Sequence, residues 1–366
     1  TFADWQIIDE LMAKGLMPTL KKFLSESSYG NIATLDPPYS PMLWTTMATG
    51  KHAFDHGVHG FTEILPDGSG IRPISAHSRK VKAIWNILNQ EGYKSNVVAW
   101  WPSNPVEDIN GVMVSNFYQH ARTKYGDEWP LLDGTINKEE HREALAELRV
   151  HPQELTSAHL QPFIPNLKNL KPEEDKILAS TAKILAHCSS VHNATTYLLE
   201  ETEWDFMAVY HDAIDHICHL GMKYRAPKLE GIKDEDFENY RDLVDSIYRF
   251  HDMMLDRTLD LIDDETYVMI VSDHGFRSDH TRMVQIPKGP ATPALEHRPY
   301  GMVALRGPGI KSGEKIYGAS VLDVTPTLLQ LMDLPIGEDM AGHVLTNIFE
   351  DAPKLRTIPS WESKKG

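Results

Sequence analysis

The sequence predicts an α/β fold with a mostly parallel central sheet and helices on both faces. Short apolar runs of strand type alternate with helical patterns along most of the 366 residues. Two of these runs lead directly into acidic residues and histidines, after positions 210 and 272. The composition, with 41% hydrophobic and 24% charged residues, is that of an ordinary globular chain. Because open parallel sheets bind ligands where their strands end, we expect a site at that edge.

The N-terminal third predicts three helices and one strand. Apolar residues recur at helical spacing between Ile7 and Leu16 and again over residues 81–90. A further helix is expected over residues 40–50, and Ser95-Asn-Val-Val-Ala-Trp100 has the β-branched and aromatic content of a strand. Strand and helix therefore alternate from the beginning of the chain.

The C-terminal half continues the same alternation. Strands are predicted over residues 204–210, 266–272 and 301–305, and long helices from about 172 to 200 and from about 236 to 262. A last helix is predicted over 323–332, because Pro326 would stand in its first turn, where proline is tolerated.

One segment interrupts this alternation. Residues 119–170 are polar and rich in proline and charge, with a local helical pattern only between 138 and 149. We interpret this segment as an inserted cap, which divides the catalytic core into residues 1–118 and 171–352. Residues 353–366 form a polar tail that we expect to pack loosely.

Charge and composition exclude several classes of partner. A formal net charge of −16 argues against a nucleic-acid polymer or an anionic membrane surface, since both attract clustered Lys and Arg. A small phosphorylated substrate remains compatible if metal cations supply the local positive field. No apolar run approaches the length of a membrane span and no signal peptide is visible, so a cytoplasmic protein is expected.

Carboxylates and imidazoles follow two of the predicted strands. Asp273 and His274 come directly after one, and Asp215 and His219 follow the other with a spacing of four. With only two cysteines in the chain, a zinc site would rely on such Asp and His side chains. Asp212 and His216 share the spacing of Asp215 and His219, so periodicity alone does not separate the two pairs. His211 and His280 are expected to be surface or hydrogen-bonded histidines.

Ser40 has two interpretations. Ser40-Pro41 precedes a helical pattern that ends at Gly50, so the serine is expected to be the N-cap, with proline at the first helical position. Its hydroxyl then satisfies a backbone amide. Alternatively, a hydroxyl at the N-terminus of a helix can act as a nucleophile towards a phosphate that the helix amides hold.

The order of these motifs resembles the alkaline phosphatase superfamily, and most closely its type I phosphodiesterase and nucleotide pyrophosphatase branch. In that branch a Ser or Thr precedes Pro, the following helix ends in Thr-Gly, and a His-Gly pair comes shortly afterwards. An Asp-x-x-x-His pair, an Asp-His-Gly and a later lone His follow in the chain. The matching residues are Ser40, Thr49, Gly50, His56, Gly57, Asp215, His219, Asp273, His274 and His297.

The resemblance implies two divalent metal ions, with zinc expected and manganese as the alternative. It assigns one ion to Asp215, His219 and His297, and the other to Ser40, Asp273 and His274. It further implies hydrolysis of phosphate esters, with a phosphodiester or nucleotide pyrophosphate as substrate, through a phosphoserine intermediate on Ser40.

The sequence departs from the branch at two places. Family members open with a strand whose final Asp completes the second metal site, whereas here Asp4 lies on the threshold of the first helix and is expected to cap it. Nucleotide-processing members carry an Asn shortly after the nucleophile, where this chain has Met42 and Leu43. A phosphomonoesterase, a phosphoglycerate-mutase-like phosphotransferase and a non-catalytic scaffold therefore remain as alternatives. A sulfatase is disfavoured, because no basic residue follows Ser40 closely.

Overall fold

The computed structural model describes residues 3–171, 174–289 and 292–363, which form twelve α-helices and thirteen strands. The helices are α1 Trp5–Ala13, α2 Pro18–Ser25, α3 Ser40–Thr49, α4 Ala53–His56, α5 Ile84–Gln90, α6 Arg142–Glu147, α7 Ser157–Leu160, α8 Lys176–Glu201, α9 Ala213–Gly221, α10 Asp234–Tyr240, α11 Leu243–Asp260 and α12 Val324–Leu331. The strands are β1 Ser28–Ala33, β2 Thr62–Ile64, β3 Ile71–Pro73, β4 Ser95–Val98, β5 Met113–Val114, β6 Phe206–Val209, β7 Val268–Val271, β8 Gly275–Phe276, β9 His297–Arg298, β10 Tyr300–Arg306, β11 Lys315–Ser320, β12 Ile336–Gly337 and β13 Thr357–Ile358.

Two sheets form the centre of the molecule. The larger has the order β11-β1-β10-β7, in which β1 runs parallel to β11 but antiparallel to β10, and β10 runs antiparallel to β7. The smaller has the order β5-β4-β6 and is parallel throughout. The α/β class is thus confirmed. The larger sheet is mixed, so the expected mostly parallel arrangement is not confirmed.

The direction of β10 explains this difference. A strand that is buried on both faces gives a continuous apolar run whether its neighbours are parallel or antiparallel, so the sequence pattern does not fix its direction. Val303 and Leu305 point into one hydrophobic cluster, and Met302 and Ala304 point into another on the opposite face. The first cluster includes residues of α3, α5 and α12, and the second includes residues of α1, α2, α8, α9 and α11. The expected helices on both faces are therefore present.

Most predicted elements exist with shifted ends. The helix expected over 236–262 is divided into α10 and α11 at Arg241 and Asp242. The helix expected from about Pro172 begins at Lys176, and Pro172 itself lies outside the described residues. The helix is capped by the Asp175 carboxylate, which accepts a hydrogen bond of 2.8 Å from the backbone N–H of Leu178. Residues 119–170 contain α6, α7 and short 3₁₀ turns. No helix in the described ranges is both long and apolar enough to cross a membrane.

The strand registers bring the ends of β1 and β7 and the start of β10 to the same end of the larger sheet. Ala33 at the end of β1 pairs with Tyr300 at the start of β10, and Val271 at the end of β7 pairs with Val303. At Gly301 a Cβ atom would lie 1.9 Å from the carbonyl oxygen of Ser272, so only glycine allows this approach. The segments that follow β1 and β7 and the segment that precedes β10 therefore converge.

Candidate metal centre

Helix α9 presents two of the predicted ligands on one face. Asp215 lies in its first turn and His219 one turn later, and residues four apart in a helix share a face. The Asp215 Oδ1 atom lies 3.2 Å from Nε2 of His219. The alternative pair is directed elsewhere, since the His216 side chain is 50% exposed and its Nδ1 atom lies 3.7 Å from the Asp212 carboxylate. The structure thus separates the two pairs that the sequence spacing leaves open.

His297 completes a triangle with these two residues. Its Nε2 atom lies 3.1 Å from Nε2 of His219 and 3.6 Å from Oδ1 of Asp215. Tetrahedral zinc with bonds of about 2.0–2.2 Å would separate neighbouring ligand atoms by about 3.3 Å. The dimensions of the triangle therefore fit a single divalent ion.

The electrostatics of this triangle favour a cation at its centre. Burial lowers the pKa of His219, but the negative charge of Asp215 and hydrogen bonds to Asp215 and Glu296 outweigh burial and raise this pKa to about 10. Burial raises the pKa of Asp215, yet the interactions with His219 and His297 hold it well below its usual value. A negative carboxylate and two imidazoles are thus arranged around positive charge, whether a proton or a metal ion carries it.

Sequence reasoning missed Glu296. The side chain of this residue is buried, and its Oε2 atom lies 2.7 Å from the Nδ1 atom of His219. A carboxylate on the outer nitrogen of an imidazole fixes the tautomer that leaves the inner nitrogen free to coordinate a metal. The only signal in the sequence is its position directly before His297, which does not indicate contact with a residue in α9.

Asp273 stands at the end of β7 in a fully buried position. Neither of its carboxylate oxygens has a hydrogen-bond partner within the described residues. Burial raises the pKa of Asp273 to about 8, and the nearby carboxylate of Asp215 contributes in the same direction. A buried carboxylate without a partner is costly, and metal coordination is one of the few arrangements that relieves the cost.

His274 connects this aspartate with the triangle. Its ring stacks on that of His297, with centroids 3.6 Å apart, and its Nε2 atom lies 3.8 Å from Oδ2 of Asp273. Its Nδ1 atom donates a hydrogen bond of 3.0 Å to the carbonyl oxygen of Gly275 when that nitrogen carries the proton. The Nε2 lone pair then points to the Asp273 side. The structure therefore brings Asp215, His219, His297, Asp273 and His274 into one group, in which the two aspartates and His274 are buried and the other two histidines are partly buried.

Ser40 is the first residue of α3 and not its N-cap. The backbone carbonyl of Tyr39 accepts the first helical hydrogen bond from Leu43, and Tyr39 has the extended conformation of a cap residue. The prediction that the Ser40 hydroxyl caps the helix is therefore wrong by one position, a shift that sequence patterns rarely resolve. Among the described residues this hydroxyl has no hydrogen-bond partner, and the residue is 8% exposed.

Aromatic contacts fix the position of α3. The ring of Trp44 packs edge-on against Tyr210, with centroids 4.8 Å apart, and against Trp100 at 5.2 Å. Tyr210 follows β6 directly, and burial together with the negative charges of Asp212, Asp273 and Asp215 raises its pKa well above the usual range. These contacts pack α3 against Tyr210, a residue within electrostatic reach of Asp215 and Asp273.

The residues behind α3 hold it in this position. The His56 Nδ1 atom accepts from the N–H of Val58 at 3.1 Å, so its Nε2–H donates to the Thr46 hydroxyl at 3.0 Å. At the other end, the Thr325 hydroxyl donates to the carbonyl oxygen of Met47 at 2.6 Å. The motifs around His56 and in the closing segment thus support α3 and do not provide further ligands.

Asp4 is a helix cap, as expected. Its Oδ1 atom accepts from the N–H of Gln6 at 3.1 Å and from the Ser278 hydroxyl at 2.9 Å, and its Oδ2 atom accepts from the N–H of Phe276 at 3.3 Å. Arg298 lies 3.6 Å from the same carboxylate. These partners occupy both oxygens, so Asp4 is not available as a metal ligand.

Comparison with known proteins identifies the family of the chain. The sequence matches the family described as type I phosphodiesterase / nucleotide pyrophosphatase over residues 3–287. No curated protein matches the sequence.

Solved structures with similar folds come from several hydrolases. The 2-O GAG sulfatase BT1596 is 12% identical, with a TM-score of 0.51, over 94% of this chain and 71% of that one. A putative sulfatase from Bacteroides thetaiotaomicron is 13% identical, with a TM-score of 0.51 and the same coverage. Human ectonucleotide pyrophosphatase / phosphodiesterase 5 is 11% identical, with a TM-score of 0.46, over 92% of this chain and 94% of that one. At these identities the likeness to the two sulfatases shows a shared fold.

The match to the family covers both strand ends that carry the acidic group, together with α3. The chain therefore belongs to the type I phosphodiesterase / nucleotide pyrophosphatase family of the alkaline phosphatase superfamily, and it is a hydrolase of phosphate ester bonds.

Proposed function

We propose that this protein is a metal-dependent phosphodiesterase that uses Ser40 as its nucleophile and forms a phosphoserine intermediate. The observation that carries the proposal is the triangle of ligand atoms from Asp215, His219 and His297, with sides of 3.1, 3.2 and 3.6 Å. In this proposal the ion at that triangle is accompanied by a second ion held by Ser40, Asp273 and His274.

The donor atoms support a borderline first-row ion. Carboxylate oxygen combined with imidazole nitrogen suits zinc, with manganese as the alternative, better than calcium or magnesium. Enzymes of this family generally depend on divalent metals. When bound, such ions would supply the positive charge that stabilises a serine alkoxide and the negative oxygens of a phosphoryl group. The stacking distance of 3.6 Å between His274 and His297 is compatible with two ions close together.

Ser40 is suited to attack because its hydroxyl has no competing partner among the described residues. In the first step its Oγ atom loses a proton and bonds to phosphorus, while the bond from phosphorus to the leaving oxygen breaks and that oxygen takes up a proton from water as the alcohol departs. In the second step water bonds to phosphorus, the bond to Oγ breaks, one proton of the water passes to Oγ, and a phosphate monoester is released. The N-terminal amides of α3 would hold phosphoryl oxygens during both steps.

The same helix narrows the choice of substrate. Met42 and Leu43 follow the nucleophile where nucleotide-processing relatives carry an Asn, and both side chains are buried in the core. They provide no polar contact to a phosphate oxygen. We therefore propose a phosphodiester substrate ahead of a nucleotide pyrophosphate.

We further propose that residues 119–170 form a cap that contacts the leaving group, over a core of residues 1–118 and 171–352 and with a tail of residues 353–366. The described part of this tail does not pack loosely as expected, because β13 pairs with β12 and the Trp361 side chain is buried in the core. His120 stacks on His187 of the core, with ring centroids 4.8 Å apart. Burial lowers the pKa of His120 and the charge of Asp212 opposes this effect, so the segment lies within electrostatic reach of the start of α9. The predicted loop 286–296 ends at Glu296, which contacts His219 of α9, while residues 290 and 291 lie outside the described residues.

Hydrolysis of bis(4-nitrophenyl) phosphate tests the proposal directly. The Ser40→Ala variant should lose at least about 10³-fold in turnover while it keeps wild-type unfolding behaviour. Ser312→Ala is the matched control, because Ser312 is an exposed serine in the loop that leads into β11, at the opposite edge of the larger sheet. Treatment with a chelator should abolish activity, and zinc or manganese should restore it. Undiminished turnover of the Ser40→Ala variant would refute the nucleophile assignment.

A substrate panel separates the remaining alternatives. Diesters should be hydrolysed faster than 4-nitrophenyl phosphate and faster than dinucleotide pyrophosphates. A preference for monoesters would identify a phosphomonoesterase, and transfer of phosphate between sugar positions would identify a mutase-like enzyme. Two bound ions per chain together with no turnover of any phosphate ester would contradict the catalytic proposal.

A further inference from the structure

A second group of metal-binding side chains lies in the helical layer beneath β6. Cys188 in α8 contacts His211, which follows β6, and His251 in α11. The Cys188 Sγ atom lies 3.9 Å from Nδ1 of His211 and 4.0 Å from Nε2 of His251. The three ligand atoms all lie within 4.8 Å of one another. Cys188 is 2% exposed, and both histidines are partly buried.

Both imidazoles are neutral and can direct a lone pair towards the sulfur. Burial lowers the pKa of His251 to about 4 and lowers that of His211 well below its usual value. The Nδ1 atom of His251 lies 2.9 Å from the carbonyl oxygen of Ile247, so Nδ1 carries the proton and Nε2 is a free acceptor. This is the same backbone bond that orients imidazoles in metal sites.

Hydrogen bonding alone explains the group poorly. A thiol has one proton, so Cys188 can donate to only one of the two imidazoles. Both sulfur-to-nitrogen distances are at the long end of a sulfur hydrogen bond. A hydrogen bond between the sulfur and the second nitrogen would therefore require His211 to carry its proton on Nδ1 and to donate it to Sγ.

The dimensions fit a metal ion. With bonds of about 2.3 Å to thiolate sulfur and about 2.0–2.1 Å to imidazole nitrogen, angles between tetrahedral and trigonal separate sulfur and nitrogen by about 3.6–3.8 Å. The observed 3.9 and 4.0 Å exceed this range by only a few tenths of an ångström. Small side-chain movements would therefore complete coordination.

Met254 adds a soft fourth ligand. Its Sδ atom lies 3.8 Å from Sγ of Cys188, and it stands three residues after His251 on the same side of α11. Thiolate and thioether sulfur select thiophilic ions, and in an apolar interior one thiolate with one monovalent cation forms a neutral pair. We propose that Cys188, His211, His251 and Met254 form a separate site for a thiophilic d¹⁰ cation, Cu⁺ in preference to Zn²⁺.

This site is independent of the proposed hydrolase centre. It uses two sulfur ligands, whereas the group around Asp215 offers only oxygen and nitrogen. It joins α8 and α11 to His211, which follows β6. His211 lies four residues before Asp215. Occupancy should therefore stabilise the fold by linking three elements that are distant in sequence.

Cobalt spectroscopy on the full chain tests the proposal. Reduced, metal-free protein titrated with Co²⁺ under anaerobic conditions should develop a thiolate-to-cobalt charge-transfer band, which ligands at the hydrolase centre cannot produce. Added Cu⁺ should remove this band at one equivalent, because it displaces cobalt. The band should persist in the Asp215→Asn variant, which separates this result from any failure of the proposed hydrolase. Absence of the band in the wild-type protein would overturn the proposal without any variant.

Two substitutions locate the site. Cys188→Ala should eliminate the band, whereas Cys218→Ala, which removes the other buried cysteine, should retain it. A band that survives Cys188→Ala would assign the thiolate elsewhere and overturn the proposal. Met254→Leu should lower the Cu⁺ affinity, measured by competition with a chromophoric chelator, by about 10–100-fold. Unchanged Cu⁺ affinity in that variant would remove Met254, and with it the preference for Cu⁺, from the proposed site.

Discussion

Replacement of Asp273 by asparagine should make the metal-free protein more stable at high pH. The folded-state pKa of this carboxyl is about 8, compared with 3.8 for the free group. A raised carboxyl pKa gives stability that is present below the unfolded value and is lost as pH rises through the folded value. Wild-type protein in chelator should therefore lose stability between about pH 4 and pH 8, by up to about 1.4 kcal/mol per pH unit from this group.

The magnitude follows from the same values. Between pH 5 and pH 8 the Asp273 contribution amounts to about 4 kcal/mol, since the group stays protonated in the folded state over most of this range. The buried asparagine amide costs about 1–3 kcal/mol at any pH, because it has no partner either. This cost cancels when the variant is compared with the wild type across pH. The titration of His219 contributes to the stability of both proteins, so its contribution drops out of the difference between them.

Urea unfolding in chelator at pH 5, 6, 7 and 8, followed by tryptophan fluorescence, measures this difference. The stability gap between Asp273→Asn and wild type should move in favour of the variant by about 3–4 kcal/mol over that range. Asp264→Asn, at an exposed aspartate, is the matched control and should follow the wild type. Zinc should stabilise the wild type and leave the Asp273→Asn variant less affected. Parallel pH profiles for variant and wild type would refute the reasoning.

Three further predictions concern residues around the centre. Glu296→Gln should lower the zinc affinity, measured by chelator competition, by about 10–100-fold, because the substitution loosens the orientation of His219. An affinity equal to that of the wild type would contradict this role. Gly301→Ala should destabilise the protein by at least about 4 kcal/mol in chemical denaturation, since its Cβ would meet a carbonyl oxygen at 1.9 Å, whereas Gly70→Ala, with its nearest atom at 3.6 Å, should stay within about 0.5 kcal/mol. Asp4→Asn should leave the zinc content unchanged, and loss of an ion from that variant would make Asp4 a ligand.

The sequence patterns located the candidate ligands after the strands more readily than they indicated the directions of the strands. Asp215 and His219 share a helical face through local periodicity, and Asp273 and His274 follow an apolar run, so both pairs are visible without tertiary information. The direction of β10 depends on non-local pairing with β1 and β7, which an apolar run does not encode. The ends of elements were also uncertain, because the choice between Tyr39 and Ser40 as helix cap depends on one backbone hydrogen bond.

Partners that lie far apart in sequence were beyond the reach of pattern reasoning. Glu296 contacts His219 across 77 positions, and nothing in either local segment indicates this pairing. The Cys188 group shows the same limitation, since residues of α8, α11 and the segment after β6 meet only in the folded chain. His211 was expected to be a surface or hydrogen-bonded histidine, and its Nδ1 atom lies 3.9 Å from the buried thiol of Cys188. Such pairs become visible only when the helices have packed.

Anomalous diffraction at the zinc edge, from crystals grown with zinc, is the most direct test of the metal centre. We predict one peak within bonding distance of Asp215, His219 and His297, and a second beside Asp273 and His274 on the side of Ser40. A map with no density enclosed by the first three residues, or with zinc bound only at surface carboxylates, would contradict the account.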